Sequence, residues 1–295
     1  MTSKEQVYEN LRSNGLEPEL VQALVDLAIS EDLMGGTDVT SLATIPEIQI
    51  SELDLVTRSP GVIAGINIAA LVFLSVASKK IDIELCVEDS KKVEANTCLL
   101  TAKGSTIELL TAERTALNFL GHLSGIATTT NKWVNEISGT NAKVRDTRKT
   151  TPGLRLLEKY AVKVGGGTNH RMSLNDQALI KDNHIVASGS IKSAVEKVKD
   201  KFPELDFEIE VDNLDQLNEA LAVEAKLILL DNFSIEDLKK AVVTVNKKAK
   251  LEASGGITLE NARKIAETGV DFLAVGALTH SAPVLDIGGD LRTVR

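Results

Sequence analysis

The first part of the chain alternates between helical and strand-like hydrophobic patterns. Apolar residues recur at helical spacing between residues 20 and 28, and Gly35 and Gly36 predict where the second of two helices ends. The segments that follow predict a strand, a helix and two half-buried strands, at residues 48–56, 66–77, 81–85 and 97–102. This order is typical of an α+β domain rather than of a parallel sheet.

Beyond residue 142 the pattern changes to short apolar strands that alternate with helices. One long helix, or two helices interrupted near Gly121 and Gly125, is predicted before this region, at residues 113–133. Buried apolar strands that alternate with helices indicate a parallel α/β domain, and about six such units favour an incomplete β/α barrel over an open sheet. The predicted strands are residues 143–145, 178–180, 207–211, 227–230, 251–253 and 272–275.

These patterns predict two domains. Residues 1–113 form the N-terminal α+β domain, residues 114–283 form the barrel, and residues 284–295 return to the first domain. The polar residues 1–10 do not resemble a signal peptide, and no apolar run is long enough to span a membrane. Cys86 and Cys98 show no metal-ligand spacing and are interpreted as core thiols, so we expect a cytoplasmic protein.

Polar and small residues follow the predicted barrel strands at the points where they end. In parallel barrels the carboxyl ends of the strands carry the functional site, so these residues should share one rim. They are, in chain order, Arg148 and Lys149, Lys181, Glu210, Asp231, Ser254–Gly256 and Gly276.

Positive charge is concentrated near two of these loops. Residues 145–184 contain eight Lys or Arg and four Asp or Glu, a local charge of +4 in a chain whose formal net charge is −9. Guanidinium groups suit planar carboxylates and ammonium groups suit phosphates. The set that could bind phosphate and carboxylate groups is Arg148, Lys149, His170, Arg171 and Lys181. For any single cation, a solvated surface is the alternative. An acidic chain repels a nucleic-acid backbone overall, so a small polyanion is the expected ligand.

Glu210 and Asp231 occupy equivalent places in successive strand–helix units. Two carboxylates on one rim could hold Mg²⁺, which prefers oxygen ligands, or could form inward salt bridges to Lys181 or Lys149, and both can hold together. The sequence shows no His/Cys cluster for structural zinc.

Two small-residue turns, at Ser254–Gly256 and Val275–Ala277, follow the last two predicted strands, where barrels commonly bind phosphate. As a lone residue, His170 is more often a structural hydrogen-bonding group than a catalyst, and His184 is as well explained by support of Lys181. The sequence shows no Ser/His/Asp or Cys/His arrangement, which favours catalysis by positioning and electrostatics.

Specific motifs occur in order along nearly the whole chain. They are residues 31–41, 113–118, 146–155, 166–172, 179–184, 208–211, 229–232, 254–257 and 274–281. Together they resemble the quinolinate phosphoribosyltransferase family. Ser173, Asn175, Gln177 and Gly289 depart from the family's pattern, and none of them is at a charged site position.

The resemblance implies a sandwich-like N-terminal domain, an incomplete β/α barrel and Mg²⁺-dependent transfer of phosphoribosyl from phosphoribosyl pyrophosphate to quinolinate. The implied products are nicotinate mononucleotide, pyrophosphate and CO₂, in NAD biosynthesis. It also implies a homodimer with shared active sites and leaves assembly into a hexamer open. The alternatives are a related enzyme with another acceptor and a non-catalytic phosphate-binding regulator.

The resemblance also implies roles for individual residues. It gives catalytic roles to Lys149, Glu210 and Asp231, which also bind phosphoribosyl pyrophosphate, and the two carboxylates bind Mg²⁺. The implied quinolinate site comprises Arg148, His170, Arg171 and Lys181, with Arg114 entering from a neighbouring subunit. Thr147 is a further implied substrate-binding residue. The implied 5-phosphate site comprises Ser254, Gly255, Gly256, Val275, Gly276 and Ala277.

Overall fold

The computed structural model describes residues 2–294, which form two compact units. The first unit contains the residues up to Thr129, Leu156–Gly165 and the residues from Ala282, and the second contains Thr130–Arg155 and Gly166–Ser281. The predicted boundary between residues 113 and 114 lies inside one long helix, Thr106–Glu136, and the first unit extends along this helix to Thr129. Within residues 2–294, no helix is both long and apolar enough to cross a bilayer.

The helices and strands are numbered in chain order. The helices are α1 (Lys4–Ser13), α2 (Pro18–Leu33), α3 (Val39–Thr44), α4 (Ile66–Val76), α5 (Thr106–Glu136), α6 (Arg155–Val164), α7 (Asp182–Ser188), α8 (Ile191–Lys201), α9 (Leu214–Ala222), α10 (Ile235–Val245), α11 (Leu259–Ala266) and α12 (Ala277–His280). The strands are β1 (Ile50–Thr57), β2 (Gly61–Val62), β3 (Asp82–Leu85), β4 (Lys92–Val93), β5 (Cys98–Ser105), β6 (Lys143–Arg145), β7 (Ala178–Ile180), β8 (Phe207–Val211), β9 (Leu227–Asp231), β10 (Lys250–Ser254), β11 (Phe272–Ala274) and β12 (Ile287–Thr293).

The first unit is built on an antiparallel sheet with the strand order β12-β1-β5-β3. Alternate residues of β1 are buried, including Leu53 and Leu55, because successive side chains of a strand point to opposite faces. β12 pairs with β1 from Ser51 opposite Thr293 to Thr57 opposite Ile287. The segment Ile287–Thr293 therefore forms an edge strand of the first sheet.

α5 is one continuous helix, so the single-helix alternative is confirmed and the alternative of an interruption near Gly121 and Gly125 is wrong. A Cβ atom on Gly125 would lie 2.1 Å from the carbonyl oxygen of Pro283, and one on Gly121 would lie 3.0 Å from that of Leu285. Both glycines therefore allow the segment before β12 to approach the helix backbone, which is a tertiary requirement rather than a local helix stop.

The prediction that Cys86 and Cys98 are core thiols is also wrong. Cys86 is exposed, Cys98 is half-buried, and both are free thiols whose sulfur atoms lie 3.5 Å apart. The residue Cys86 is exposed but its sulfur atom is partly shielded from solvent. This desolvation and the adjacent Cys98 thiol raise the pKa of Cys86 to about 11, so the thiol is protonated at neutral pH.

The second unit contains a parallel sheet of six strands in the order β6-β11-β10-β9-β8-β7, as predicted for an incomplete β/α barrel. Three of its helices begin at polar residues whose side chains accept a backbone N–H of the first turn, namely Ser190, Asn213 and Ser234. These caps end each strand-to-helix loop at a fixed residue. The loops at the carboxyl ends of the strands are thereby held in place.

The register of the parallel strands decides which side chains share a face. Leu229 is opposite Glu210 on one side and opposite Glu252 on the other, so these three side chains lie on the same face. Asp231 is two residues beyond Leu229 and opposite Ser254, so it lies on this face too, nearer the carboxyl end. Strand register alone therefore brings Glu210, Asp231 and Ser254 together.

Candidate active site

The loop after β6 carries Arg148 and Lys149, and its backbone is held from two sides. The Lys149 N–H donates to Thr147 Oγ1 at 3.0 Å, and Thr279 Oγ1 donates to the Lys149 carbonyl oxygen at 2.8 Å. Thr279 belongs to α12, which directly follows the turn after β11. The Lys149 side chain is exposed, so its ammonium group is presented on a fixed backbone.

The loop that precedes β7 is anchored by a fully buried carboxylate. Asp146 accepts the backbone N–H of His170 at 2.8 Å and a hydrogen bond from the side-chain amide of Asn169. Thr168 pairs with Arg145 in a short parallel bridge, which extends the edge of the sheet at β6. The sequence between the glycines and Arg171 is therefore fixed against the end of β6.

Arg148 and Arg171 each present a buried donor that has no acceptor within residues 2–294. Both Nε atoms are inaccessible to solvent and make no hydrogen bond there, while Nη1 of Arg171 donates to the Gln177 carbonyl oxygen at 2.9 Å. Burial, and next the charge of Arg148, lower the pKa of Arg171. Two neighbouring guanidinium groups with unsatisfied donors form a site for a planar anion.

Arg155 connects the two loops that carry these arginines. Its Nε donates to Thr150 Oγ1 at 3.0 Å, and its Nη1 donates to the Met172 carbonyl oxygen at 3.2 Å. Sequence reasoning did not select Arg155, because its position in the first turn of α6 gives no sign of this contact.

Lys181 and Glu210 form an ion pair at the ends of β7 and β8. This is one of the two alternatives predicted for the rim carboxylates. Asp231 instead accepts a hydrogen bond at 2.8 Å from the side-chain amide of Asn232. His184 accepts the Lys181 N–H through Nδ1 at 3.0 Å, so it supports the backbone at Lys181 as the sequence suggested.

The two predicted glycine turns are closely packed. Gly255 and Gly256 have φ values of +82° and +60°, and a Cβ atom on Gly255 would lie 2.1 Å from Asn232 Oδ1. A Cβ atom on Gly276 would lie 3.2 Å from both Lys149 Cδ and His280 Nε2. Gly255 has no room for a side chain, Gly276 would take one only if Lys149 and His280 shifted slightly, and Gly255 and Gly256 both require a left-handed backbone.

A buried charged cluster lies beneath the rim, and sequence reasoning missed most of it. His170 Nε2 lies 2.9 Å from Glu208 Oε2 and 3.6 Å from Glu252 Oε1, and Glu252 forms an ion pair with Arg145. His170 Nδ1 accepts the Arg171 N–H at 2.7 Å, so the ring proton is on Nε2. Both ring nitrogens are therefore engaged within the chain, in agreement with the structural interpretation of His170.

Burial, and next the charge of Glu208, raise the pKa of Glu252 to about 7, against the opposing effects of His170 and Arg145. His170, Glu208 and Glu252 have ligand atoms within 4.8 Å of one another, although the cluster also contains the Arg145 guanidinium group. The sequence did contain one signal for this cluster. Glu208 is two residues from Glu210 in β8, and Glu252 is two residues from Ser254 in β10, so both glutamates lie on the strand face that carries the predicted site residues.

The remaining predicted site residues lie at defined places. Val275 is buried and donates its N–H to the Arg145 carbonyl oxygen at 2.8 Å, and Ala277 begins α12. Arg114 is on the exposed side of α5, in the first compact unit, whereas all the other predicted residues belong to the second.

A parallel β/α barrel whose rim combines paired guanidinium groups, lysines, carboxylates and glycine turns defines an enzyme class that acts on small polyanions. The comparisons identify the family. The C-terminal domain of quinolinate phosphoribosyl transferase matches residues 126–290, and the N-terminal domain of the same family matches residues 38–124. The chain belongs to the quinolinate phosphoribosyltransferase family.

Individual relatives agree with this assignment. A nicotinate-nucleotide pyrophosphorylase (carboxylating) from Mycobacterium leprae is 52% identical over 270 residues, which cover 90% of this chain and 94% of that protein. The solved nicotinate-nucleotide pyrophosphorylase from Francisella tularensis is 42% identical with a TM-score of 0.89, covering 93% of this chain and 96% of that one. The corresponding structure from Ehrlichia chaffeensis is 40% identical with a TM-score of 0.88, covering 92% and 98%.

Proposed function

We propose that this chain transfers the phosphoribosyl group of phosphoribosyl pyrophosphate to quinolinate, with loss of CO₂, to give nicotinate mononucleotide and pyrophosphate. Family membership supports the reaction class. The observation that supports the acceptor best is the pair of buried, unsatisfied Nε–H groups on Arg148 and Arg171. Quinolinate carries two adjacent carboxylates, and each could accept from one guanidinium group.

The proposed quinolinate site extends from these arginines to Lys181, with Thr147 at its edge. His170 supports this site by accepting the Arg171 N–H through Nδ1, and its Nε2 faces Glu208. Any direct contact between His170 and quinolinate would therefore involve the ring carbons and not these two nitrogens. In this assignment the acceptor is held by fixed positive charges, which lowers the cost of bringing two anionic substrates together.

The proposed site for phosphoribosyl pyrophosphate comprises Lys149, Glu210, Asp231 and the two glycine turns. The turns at Ser254–Gly256 and Val275–Ala277 present backbone N–H groups and small side chains, which suit the 5-phosphate. Lys149 reaches past Gly276, where its Cδ packs against the turn, and so could contact the same substrate.

The rim carboxylates fit Mg²⁺ by their chemistry and placement. Glu210 and Asp231 lie on one face of neighbouring strands, and each uses one carboxylate oxygen in a hydrogen bond or ion pair. Their second oxygens accept no hydrogen bond from residues 2–294, so they could bind the ion directly or through water. When bound, Mg²⁺ would neutralise charge on the pyrophosphate group.

The chain's own residues then have simple tasks in the reaction. The fixed cations orient the quinolinate ring nitrogen toward the anomeric carbon, and that bond forms as the bond to pyrophosphate breaks. Glu210 or Asp231 would stabilise the positive charge that develops on the ribosyl group. In the adduct, the quaternary ring nitrogen accepts the electron pair released as CO₂ leaves, so decarboxylation needs no further cofactor.

The proposed assembly is a homodimer in which Arg114 completes the quinolinate site of the neighbouring subunit. Arg114 is exposed, and the first unit also exposes large apolar side chains, which a second copy could cover. They include Leu20, Leu27, Met34 and Leu42, which are 56%, 66%, 85% and 54% exposed.

The decisive experiment incubates the purified chain with quinolinate, phosphoribosyl pyrophosphate and Mg²⁺ and measures pyrophosphate and CO₂. We expect equal amounts of both products and a large loss of activity in Arg171→Ala, with the exposed Arg12→Ala as the matched control. Release of pyrophosphate without CO₂, with nicotinate as the better acceptor, would instead identify a related enzyme with a monocarboxylate substrate.

Complementation tests the shared site. Arg114→Ala and Lys149→Ala should each be inactive, and mixing them should form heterodimers in which one site carries both lesions and the other none. Activity should recover toward about a quarter of wild type for random mixing and independent sites. No recovery despite demonstrated subunit exchange would place Arg114 in the site of its own chain.

A further inference from the structure

Asn232 has an unusual backbone conformation at the carboxyl end of β9. Its φ is +55°, in the left-handed region that few residues other than glycine adopt readily. Asparagine tolerates this region better than most residues, which explains why the strand can turn sharply here. Tolerance of a left-handed backbone does not explain the direction of the Asn232 side chain, which needs a separate reason.

The Asn232 side chain touches both proposed parts of the phosphoribosyl pyrophosphate site. Its Nδ2 donates to Asp231 Oδ2 at 2.8 Å, and its Oδ1 occupies the space where a Cβ atom on Gly255 would lie, at 2.1 Å. Its backbone N–H donates to the Ser254 carbonyl oxygen at 2.8 Å. One residue therefore joins the end of β9 to the glycine turn after β10.

The surrounding charges give the amide a further task. Asn232 lines an open depression together with three aspartates, Asp212, Asp215 and Asp237. The Asp231 carboxylate needs a donor to hold one of its oxygens in a fixed direction. The amide supplies that donor and adds no charge.

We propose that Asn232 is a positioning residue that sets the spacing between the Asp231 carboxylate and the Ser254–Gly256 turn. The proposal rests on the proposed function, in which Asp231 serves the reacting end of phosphoribosyl pyrophosphate and the turn serves its 5-phosphate. Loss of the side chain should then weaken binding and turnover of this substrate while leaving quinolinate binding unchanged.

The chain offers a clean variant and a matched control. Asn232→Gly keeps the left-handed backbone and removes only the side chain, so the variant should fold. Asn246, at the end of α10, is also exposed and left-handed, with φ +44°, and contacts no proposed site residue. Asn246→Gly should therefore reproduce any effect on stability without an effect on activity.

Binding of phosphoribosyl pyrophosphate with Mg²⁺, measured by calorimetry, is the first readout. Because a hydrogen bond to a charged group is lost, we expect Asn232→Gly to weaken binding or kcat/KM for this substrate by roughly tenfold or more. The KM for quinolinate and the thermal midpoint should match those of Asn246→Gly. Asn232→Asp, which keeps the shape but replaces the donor by a second negative charge, should be at least as impaired.

A double variant tests the contact itself. Gly255→Ala forces a methyl group against Asn232 Oδ1, and combining it with Asn232→Gly removes this clash but not the backbone strain at φ +82°. The fold-loss in activity of the double variant should therefore be smaller than the product of the fold-losses of Gly255→Ala and Asn232→Gly.

Wild-type binding and turnover in Asn232→Gly would overturn the inference and leave the proposed function standing. A wild-type chain that binds phosphoribosyl pyrophosphate but does not consume quinolinate would overturn the proposed acceptor, while the binding measurement would still test Asn232. A wild-type chain that binds no phosphoribosyl pyrophosphate would overturn both.

Discussion

Replacing Glu252 by glutamine should make the protein more stable at alkaline pH relative to wild type. Glu252 is fully buried beside Glu208, and one of its oxygens is paired with Arg145. The glutamine amide resembles the protonated carboxyl group. Its oxygen could still accept from Arg145, and its NH₂ could donate to the Glu208 carboxylate, whose Oε2 already faces His170 Nε2 at 2.9 Å.

The size of the effect follows from the pKa of Glu252, which burial and the charge of Glu208 raise from 4.5 to about 7. Below pH 4.5 Glu252 is protonated in both the native and the unfolded chain, so its ionisation takes nothing from the free energy of unfolding. Between pH 4.5 and 7 only the native chain retains the proton, so the free energy of unfolding falls by about 1.4 kcal/mol per pH unit. The total loss above pH 7 is about 3 kcal/mol, and Glu252→Gln should not show it.

The assay is urea unfolding of wild type and Glu252→Gln at several pH values from 5 to 8.5, followed by two probes because a two-unit chain need not unfold in one step. The difference in free energy of unfolding between variant and wild type should rise by about 3 kcal/mol over this range. Glu204→Gln, at an exposed turn, controls for the loss of one negative charge. A difference that stays constant with pH would show that Glu252 is ionised throughout, and the reasoning from its burial would be wrong.

Three further changes test the proposed site. Lys149→Ala should raise the KM for phosphoribosyl pyrophosphate roughly ten- to hundredfold by loss of a charge-assisted contact. An equal rise in the KM for quinolinate would show that Lys149 has been assigned to the wrong subsite. Asp231→Asn should keep the fold and reduce turnover, and wild-type activity should vanish with excess chelator; full activity in chelator would exclude the Mg²⁺ assignment. Arg155→Lys keeps the charge but cannot reach both Thr150 and Met172, so the KM for quinolinate should rise roughly tenfold with little change in thermal midpoint, and an unchanged KM would contradict the loop-bridging role.

The barrel was predictable because its signals are local. Each of the six strands is a short apolar run beside a helix, and a period of two then places Glu210, Asp231 and Ser254 on one face. The Lys181–Glu210 pair follows from the same register. The loops around Arg148 and Arg171 could be located from their charge.

The errors occurred where distant segments decide the outcome. Gly125 left open whether α5 is one helix or two, but the role of this glycine is set by Pro283, more than a hundred residues away. Cys86 looked like a core thiol because strand periodicity shows that two faces differ without showing which one is covered. Asn232 belongs to the motif at residues 229–232, but the sequence did not show its contacts, because they depend on the exact placement of Gly255 beside the end of β9.

The buried cluster of charged residues also joins distant segments of the chain, and for that reason the sequence did not reveal it. Its residues would be poor choices if stability were their only role. Glu208 and Glu252 occupy strand positions where apolar side chains would pack without the cost of burying charge. The Arg145 guanidinium group stacks 4.1 Å from the centre of the Phe272 ring and pairs with Glu252, and His170 then links both glutamates to the Arg171 backbone. This series of contacts runs from the core to a guanidinium group with an unsatisfied donor. Because a side chain on a loop is held only as firmly as its backbone, we expect the cluster to fix Arg171 at a cost in stability, as the proposed recognition of a planar dicarboxylate would require.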